Sequence, residues 1–381
     1  MGEKRMFVGM GLKRRIAIIM GVAIIATLIV VVVYNKRLSN KIYNGYSILS
    51  EMPLDSEISA TVKPFGNGVI WYSSDGLSYY SGGKEIWNKA INMTQPVIDT
   101  CGDYIVMAEN RSNDIYIFDI KGNQNKITSS YPVIGVEISK QGVVAATLDD
   151  GEANYIEISD KGGTKIASGR TVLSGDGYPV DISIADDGTR LVVSYLAVSN
   201  GVTQSKVVFY NYSSVGENEV DRIVGGFNQY KSTLVPDVEF INNSTAVAFG
   251  DNMFTIYSIK QKPKITYEET FKNKVKSVFH SNKYVGIVLE NEDSAYPYIL
   301  RVYNTKGEKI YSEKINFKYA DICFAGKNVM MYNDMECRMY SFAGTERFNY
   351  TFDMGITSIV PIKSDKFVLV GDNHIREIQL K

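Results

Sequence analysis

The sequence predicts an all-β fold, a β-propeller of four-stranded blades preceded by one N-terminal transmembrane helix. Three observations lead to this fold class: one unbroken apolar segment lies near the N-terminus, the remaining chain has almost no helical period, and short β-branched runs recur in groups of four about every 40–45 residues. The chain has 381 residues, with 41 Lys and Arg against 42 Asp and Glu. This balance argues against nucleic acid as a partner, because phosphate binding needs a basic excess.

The N-terminal apolar run, Ile16–Val33, predicts a transmembrane helix over residues 16–34. Such a run rises about 27 Å as a helix, close to the roughly 30 Å thickness of the hydrocarbon core. It ends in four valines and Tyr34, without the small-residue cleavage site of a signal peptide or the following Cys of a lipoprotein. We therefore expect an uncleaved anchor, with the membrane as a partner of the chain.

Basic residues in front of the run predict its orientation. Residues 1–15 hold five Lys and Arg against Glu3 alone, and a tail of this kind stays in the cytoplasm. The predicted order is a basic cytoplasmic tail (1–15), the transmembrane helix (16–34), a short stalk (35–44) and an extracytoplasmic propeller (45–381). The expected location is the cell membrane, with a single pass and a cytoplasmic N-terminus.

The propeller prediction depends on repeats of four runs, here called a to d in chain order. One unit reads VKSVFH, YVGIVLE, YILRVYN and EKIYSEK, beginning at Val275. A four-stranded unit that repeats at this period is typical of a propeller. The last unit stops at Lys381 after its c run, so we expect its fourth strand from the N-terminal side, at GYSIL (residues 45–49). The prediction is eight blades; seven is the alternative if the first unit, from Ile58, is miscounted.

Two c–d turns carry a recognisable aromatic pattern. Tyr80–Trp87 reads YSGGKEIW and is similar to the tryptophan-docking repeat of quinoprotein-like propellers, whose turn reads close to Asp-x-x-Thr-Gly-Lys-x-x-Trp. Tyr303–Tyr311 has the same turn, with Tyr311 at the tryptophan position. The hairpin Asp186-Asp187-Gly188 looks like the a–b turn of other repeat propellers.

The whole layout also resembles an uncharacterised family of bacterial membrane proteins, domain of unknown function 5711. Its members have a short basic tail, one anchor helix and an extracytoplasmic propeller-like domain. The resemblance covers the full length and depends on architecture, not on a diagnostic motif. It implies a Gram-positive-type cell surface and supplies no activity.

The sequence has no convincing catalytic constellation, so we do not expect an enzyme, a cofactor or a bound metal. Quinoprotein dehydrogenases commonly use an adjacent Cys pair, whereas the three cysteines, Cys101, Cys323 and Cys337, are not adjacent. His280 lies at the end of an a run and His374 in a b–c turn, where a lone histidine is typically structural or solvated. A disulfide between Cys323 and Cys337 stays open, with buried thiols as the favoured interpretation.

The inner a runs leave a second function open. They contain scattered acids, which are Asp99, Glu137, Asp181 and Glu239. The favoured interpretation is that these acids line a wet channel without catalysing a reaction. The alternative function is an enzyme, or a cofactor- or ligand-dependent sensor, that uses the central channel of a quinoprotein-like propeller. Fold alone does not decide between the two, because propellers host many unrelated functions.

Long insertions favour a binding role. Strands alternate in direction within a blade, so the b–c and d–a connections share one face and the a–b and c–d connections share the other. Four long insertions lie on the first face, at residues 171–178, 196–204, 225–236 and 291–297, and we expect short turns throughout the second face.

From these insertions we predict a partner-binding face, formed by Tyr178, Phe227, Gln229, Tyr230, Lys231 and Tyr296. Phe227 and Tyr230 are expected to be replaceable without loss of folding. The expected function is a noncatalytic scaffold that binds an envelope protein or a cell-wall glycan. Loops that have drifted in length without any ligand are the alternative interpretation.

Overall fold

The computed structural model describes residues 16–27, 30, 41–54, 61–199 and 201–381. Residues 16–27 are helical, as is residue 30. Within these ranges, no helix has both the length and the apolar character needed to cross a membrane. The predicted tail (1–15), residues 28, 29 and 31–34 of the predicted transmembrane helix, and residues 35–40 of the predicted stalk lie outside the described residues.

The strands form eight separate four-stranded antiparallel sheets, which confirms the all-β propeller and the count of eight blades. The a strands of consecutive blades are in contact around the centre at six of the eight blade boundaries. Blade 1 comprises β2 (Thr61–Phe65), β3 (Gly68–Ser73), β4 (Gly76–Ser81) and β5 (Lys84–Ala90). Blade 2 comprises β6 (Pro96–Cys101), β7 (Tyr104–Glu109), β8 (Asp114–Asp119) and β9 (Gln124–Thr128).

The next three blades follow the same order from the inner a strand to the outer d strand. Blade 3 comprises β10 (Val133–Ile138), β11 (Val144–Asp149), β12 (Asn154–Ser159) and β13 (Lys165–Thr171). Blade 4 comprises β14 (Tyr178–Ile184), β15 (Arg190–Ser199), β16 (Val202–Asn211) and β17 (Ile223–Phe227). Blade 5 comprises β18 (Asp237–Asn242), β19 (Thr245–Phe249), β20 (Met253–Ile259) and β21 (Pro263–Thr270).

The last three blades include the one that closes the ring. Blade 6 comprises β22 (Val275–His280), β23 (Tyr284–Glu290), β24 (Tyr298–Asn304) and β25 (Lys309–Ile315). Blade 7 comprises β26 (Asp321–Ala325), β27 (Asn328–Tyr332), β28 (Glu336–Ser341) and β29 (Glu346–Thr351). Blade 8 comprises β30 (Ser358–Pro361), β31 (Lys366–Gly371) and β32 (His374–Leu380), and its fourth strand is β1 (Tyr46–Pro53).

Closure by the N-terminal strand is confirmed. β1 pairs antiparallel with β32, with Tyr46 opposite Leu380 and Pro53 opposite His374. The chain just before β1 is also attached, because the side chain of Tyr43 is buried and its residue bridges to Phe348 in blade 7. Residues 41–44 of the predicted stalk therefore pack on the propeller. Joining both chain ends in one sheet leaves no blade with an unpaired c-strand edge.

Burial follows the position of each strand within its blade. All five residues of β19 and of β27 are buried, because b strands contact neighbouring blades on both faces. Outer strands such as β5 are mostly exposed. The hydrophobic clusters therefore lie between blades, and one of them joins blades 1 and 2 through Phe65, Ile70, Met107 and Phe118. The three cysteines are free thiols, and Cys337 is buried.

The predicted tryptophan dock joins blade 1 to blade 2. Trp87 stacks on Phe118 with ring centroids 6.1 Å apart, and its indole Nε1–H donates to the carbonyl of Ile120 at 3.1 Å. The ring covers Gly122, where a Cβ would lie 2.8 Å from Trp87 Cγ. Gly122 also has φ of +80°, so glycine meets both a steric and a conformational need there. Tyr311 approaches Gly344 between blades 6 and 7 more loosely, since a Cβ there would lie 4.0 Å from Tyr311 Cε2.

The two faces of the ring differ, although not as the sequence predicts. We call the side with the b–c and d–a connections the long-loop face, and the side with the a–b and c–d connections the short-turn face. Most connections on the short-turn face are indeed short. The prediction of short turns throughout is wrong in blade 4, where residues 212–222 join β16 to β17 and contain two 3₁₀ turns, Ser214–Gly216 and Val220–Arg222.

Candidate functional site

A projecting hairpin dominates the long-loop face. β15 and β16 have ten residues each, and their pairing runs from Arg190–Asn211 out to Ser199–Val202. The other b and c strands have five to seven residues. The hairpin therefore extends roughly 10 Å beyond its neighbours at about 3.3 Å per residue. The insertion at residues 196–204, which the sequence suggests is a loop, is mostly paired strand.

Two neighbouring d–a insertions pack against the base of this hairpin. Lys206 Nζ donates to the carbonyl of Gly175 at 3.1 Å, which holds the insertion before β14 against β16. On the other side, Ser194 Oγ donates to the carbonyl of Val235 at 2.6 Å, and the N–H of Val235 donates to Ser205 Oγ at 2.9 Å. Three of the four predicted insertions thus converge on blade 4.

Exposed apolar side chains lie on the outer parts of these insertions. Val198 and Val202 are 61% and 58% exposed near the hairpin tip. Leu173 and Tyr178 on one side and Leu234 on the other are also exposed. We call these five residues the hairpin patch. Scattered apolar surface residues are common, but several on converging insertions typically mark an interaction site.

Two aromatic residues of the predicted partner-binding face belong to the core instead. Tyr230 is 0% exposed, and its hydroxyl forms a hydrogen bond with that of Tyr257. The half-buried ring of Phe227 packs 4.7 Å from that of Tyr257 and 5.8 Å from that of Phe209. The expectation that Phe227 and Tyr230 are exposed contacts is therefore wrong, because both rings fill the boundary between blades 4 and 5.

The other four predicted residues differ in position. Lys231 and Tyr178 are exposed near the hairpin, whereas Gln229 is half-buried and donates to Glu268 Oε2 at 3.1 Å. Tyr296 is exposed in the fourth insertion, residues 291–297, whose described bonds run within blade 6. The structure therefore places Tyr178 and Lys231 on two insertions that flank the blade 4 hairpin, and it places Tyr296 on a separate loop.

The central channel holds a cluster of carboxyl groups. It is formed by the inner strands of blades 2 to 5 and comprises Asp99, Glu137, Asp181, Asp237 and Glu239. Two of them bond to the next blade. Asp99 Oδ2 accepts the N–H of Ile138 at 2.9 Å, and Asp181 Oδ2 accepts the N–H of Val238 at 2.8 Å. These side chains thus satisfy backbone groups on the open edges of inner strands.

Burial and mutual repulsion favour protonated carboxyls in this channel. Burial, with the charges of Asp237 and Glu239, raises the pKa of Asp181 to about 7. Burial and the Glu239 charge raise the pKa of Asp237 to about 6. Burial also raises the pKa of Glu137 well above its ordinary value, and the charges of its acidic neighbours add to this effect.

Two basic side chains face the carboxyl cluster. Lys63 of blade 1 donates to the carbonyl of Ile98 at 2.9 Å, and His280 of blade 6 lies 3.5 Å from Glu239. Burial lowers the pKa of His280, but its hydrogen bond to Glu239 and the acidic charges around it raise that pKa overall. Across the described ranges, no group of three or more His, Cys, Asp or Glu is arranged to hold a metal ion.

The fold and these sites can be compared with known proteins. The model of a protein family described as a family of unknown function, DUF5711, matches residues 39–380. The chain belongs to this family. A comparison with curated proteins finds no sequence match. Both the family and the propeller fold of this DUF5711 chain are therefore established.

Solved structures share the architecture at low sequence identity. BamB from Moraxella catarrhalis is 14% identical with a TM-score of 0.51, covering 88% of this chain and 99% of BamB. Sqt1 from Chaetomium thermophilum, bound to the N-terminus of the ribosomal protein L10, is 10% identical with a TM-score of 0.54, covering 88% of this chain and 100% of Sqt1. At such identities the likeness establishes the propeller fold alone.

Proposed function

We propose that this DUF5711 chain is a noncatalytic, membrane-anchored scaffold whose propeller lies outside the cytoplasm and binds a protein or glycan at the cell envelope. The observation that carries the proposal is the convergence of three insertions on the blade 4 hairpin, with exposed apolar residues at its tip. Exposed loops on a rigid scaffold are typical carriers of binding function. Between the two ligand classes, the apolar hairpin patch favours a protein.

The fold likeness is compatible with this role. Sqt1, which has the same architecture, is bound to the N-terminus of another protein. That complex supports the general idea that a propeller of this size presents a surface for a polypeptide. It does not identify a partner for this chain, since the two sequences are only 10% identical.

The anchor is supported by the sequence. The apolar run Ile16–Val33 matches the thickness of a bilayer, and the basic residues of the tail favour a cytoplasmic N-terminus. Protease treatment of intact cells expressing the full chain with a tag at each end tests this topology. We expect loss of the C-terminal tag and retention of the N-terminal tag. Retention of both tags in intact cells, with loss of both after lysis, would contradict the proposed topology.

In-cell crosslinking tests the binding role. The full chain is compared with a variant carrying Val198→Asp and Val202→Asp, which changes exposed residues at the hairpin tip. We expect a discrete crosslinked species that this variant loses. A matched control is Ile265→Asp, because Ile265 is an exposed apolar residue on an outer strand of blade 5. Crosslinks that persist in the tip variant, or that disappear equally in the control, would count against the hairpin patch as the binding site.

The channel favours one alternative function, a sensor of protons or of a small ligand. Its support is the group of channel acids whose pKa values are raised, with Asp181 at about 7 and Asp237 at about 6. Thermal-shift screening of small cations and amines tests this alternative. Stabilisation by a specific compound that Asp181→Asn abolishes would favour the sensor over the scaffold.

A further inference from the structure

The chain enters the propeller on the short-turn face. The first residue of β1, Tyr46, lies opposite Leu380 at the end of β32, and a c strand such as β32 ends on that face. The residues in front of β1 are fixed at the same place. The N–H of Tyr43 donates to the carbonyl of Arg347 at 2.7 Å, and Arg347 Nε donates to the carbonyl of Lys41 at 2.9 Å.

The chain length between the predicted anchor and this attachment is short. Residues 35–40 separate Tyr34 from Lys41. The seven steps from Tyr34 to Lys41 span at most about 25 Å when fully extended, at roughly 3.3–3.6 Å each. An anchor that ends at Tyr34 therefore holds the short-turn face within about 25 Å of the hydrocarbon core, whatever path these residues follow.

Charge is unevenly distributed over the short-turn face. In blades 5 to 8 its connections carry six exposed lysines, which we call the lysine rim: Lys260, Lys262, Lys283, Lys306, Lys327 and Lys363. The acids in the same connections are Glu308 and Asp365 alone. Among the described residues, Lys262 forms an ion pair with Glu219, and the other five rim lysines form none. The connections of blades 1 to 4 on this face hold more acidic than basic residues.

Position and charge point to the same surface. The chain enters between blades 7 and 8, within the half of the ring that bears the lysine rim. We infer that the short-turn face of blades 5 to 8 docks on the anionic lipid headgroups of the bilayer that holds the anchor. This inference rests on the anchor in the proposed function. Docking in this manner turns the long-loop face, and with it the hairpin patch, away from the membrane.

The strength of such docking follows from the number of lysines. A lysine near an anionic membrane surface contributes about 1 kcal/mol, or roughly a fivefold change in the docked population. The attraction acts within a Debye length of roughly 8 Å at physiological salt. Lys260 and Lys262 also line a concavity of about 590 Å³ beside Val215. This concavity is a place where a headgroup phosphate could contact both lysines.

Amine-reactive footprinting of the full chain in nanodiscs tests the inference. Labelling rates of individual lysines are compared between discs of phosphatidylcholine and discs containing about 30% phosphatidylglycerol. We expect rim lysines to be labelled at least fivefold more slowly in the anionic discs, and this protection to disappear in 1 M salt. The lysines of the long-loop face, Lys231, Lys272, Lys274 and Lys318, are also exposed, and their labelling rates should change less than twofold.

Charge reversal at the rim lysines, with a matched control, is the second test of docking. One variant carries Lys260→Glu, Lys283→Glu, Lys306→Glu and Lys327→Glu, and its control carries the same change at the four long-loop lysines. Only the first variant should lose the protection of Lys363. Equal labelling in both disc types by a chain that has entered the discs would overturn docking while leaving the anchor intact. A chain that does not enter the discs at all would overturn the anchor and docking together.

Discussion

Trp87 donates its indole N–H to the carbonyl of Ile120 at 3.1 Å, across the boundary between the first and second blades. The same ring stacks on Phe118 and covers Gly122. One side chain therefore joins two blades by a hydrogen bond and by apolar contact. Since each hydrophobic cluster lies between blades, contacts of this kind hold the ring together.

Replacing Trp87 should separate these two contributions. We expect Trp87→Ala to lower the free energy of unfolding by about 2–4 kcal/mol, because a large cavity is left against Phe118. Trp87→Phe should lower it by about 1 kcal/mol, because it removes the hydrogen bond and keeps a stacked ring. Urea denaturation of the full chain in detergent measures both. Equal losses for the two variants would show that stacking contributes little.

The aromatic pair Phe227 and Tyr230 should behave as core residues. Phe227→Ala is expected to lower the free energy of unfolding by about 2–4 kcal/mol, and Tyr230→Phe by about 1 kcal/mol through loss of the Tyr257 hydrogen bond. Tyr178→Ala serves as the control, because Tyr178 is exposed and should change stability by less than about 0.5 kcal/mol. An unchanged free energy of unfolding in the Phe227 variant would contradict the assignment of that ring to the core.

The channel acids should make stability depend on pH. Because the folded-state pKa of Asp181 is raised to about 7, the native protein holds a proton that the unfolded chain releases near pH 4. The free energy of unfolding should therefore fall as pH rises from about 4 to about 7. Asp181→Asn should remove part of this decrease in the free energy of unfolding. At pH 8 the variant should therefore be about 1–2 kcal/mol more stable than the parent, and at pH 4 the two should be nearly equal in stability.

Denaturation at a series of pH values measures this difference. The asparagine oxygen can still accept the N–H of Val238, so the bond between blades is kept. Asp103→Asn is the matched control, because Asp103 is an exposed acid in an a–b turn. A parent protein whose stability is flat from pH 4 to pH 8, or a control variant with the same gain, would contradict the assignment.

Arg347 should be essential for attachment of the incoming chain. Its buried guanidinium donates to the carbonyl of Lys41, to Asn328 and to the hydroxyl of Tyr43. We expect Arg347→Ala to lower the free energy of unfolding by about 3 kcal/mol, because buried acceptors lose a charged donor. Arg347→Lys should restore only part of it, since an ammonium lacks the planar fork. Limited proteolysis before Tyr46 should become faster in both variants.

The repeat pattern predicted the fold well because the same four-strand pattern occurs in each of the eight blades. The period-2 alternation identified eight units, and the missing d run of the last unit indicated that β1 closes the ring. The turn motif of Tyr80–Trp87 indicated the dock of Trp87. It did not identify Tyr267, which covers Gly307 between blades 5 and 6, because its run carries no turn motif like that of Trp87.

The binding face was harder to predict because exposure depends on what lies across a blade boundary. Tyr230 is in a polar insertion, and only the position of Tyr257 in the next blade reveals that it is buried. The hairpin had a detectable signal, since strand-like alternation continues on both sides of Gly201. The sequence does not predict the eleven-residue connection at 212–222, because its polar residues give no alternating pattern that marks where β16 ends and β17 begins.

The closing strand also determines how the ring responds to force. A pull on Tyr46 directed away from the short-turn face acts along the axis of β1, so β1 must slide past β32. All the pairs from Tyr46–Leu380 to Pro53–His374 are then loaded in shear at once and do not unzip one by one. The seam between the two chain ends, the place where a ring would first be expected to open, is therefore well arranged to withstand tension between the proposed anchor and the proposed partner on the opposite face.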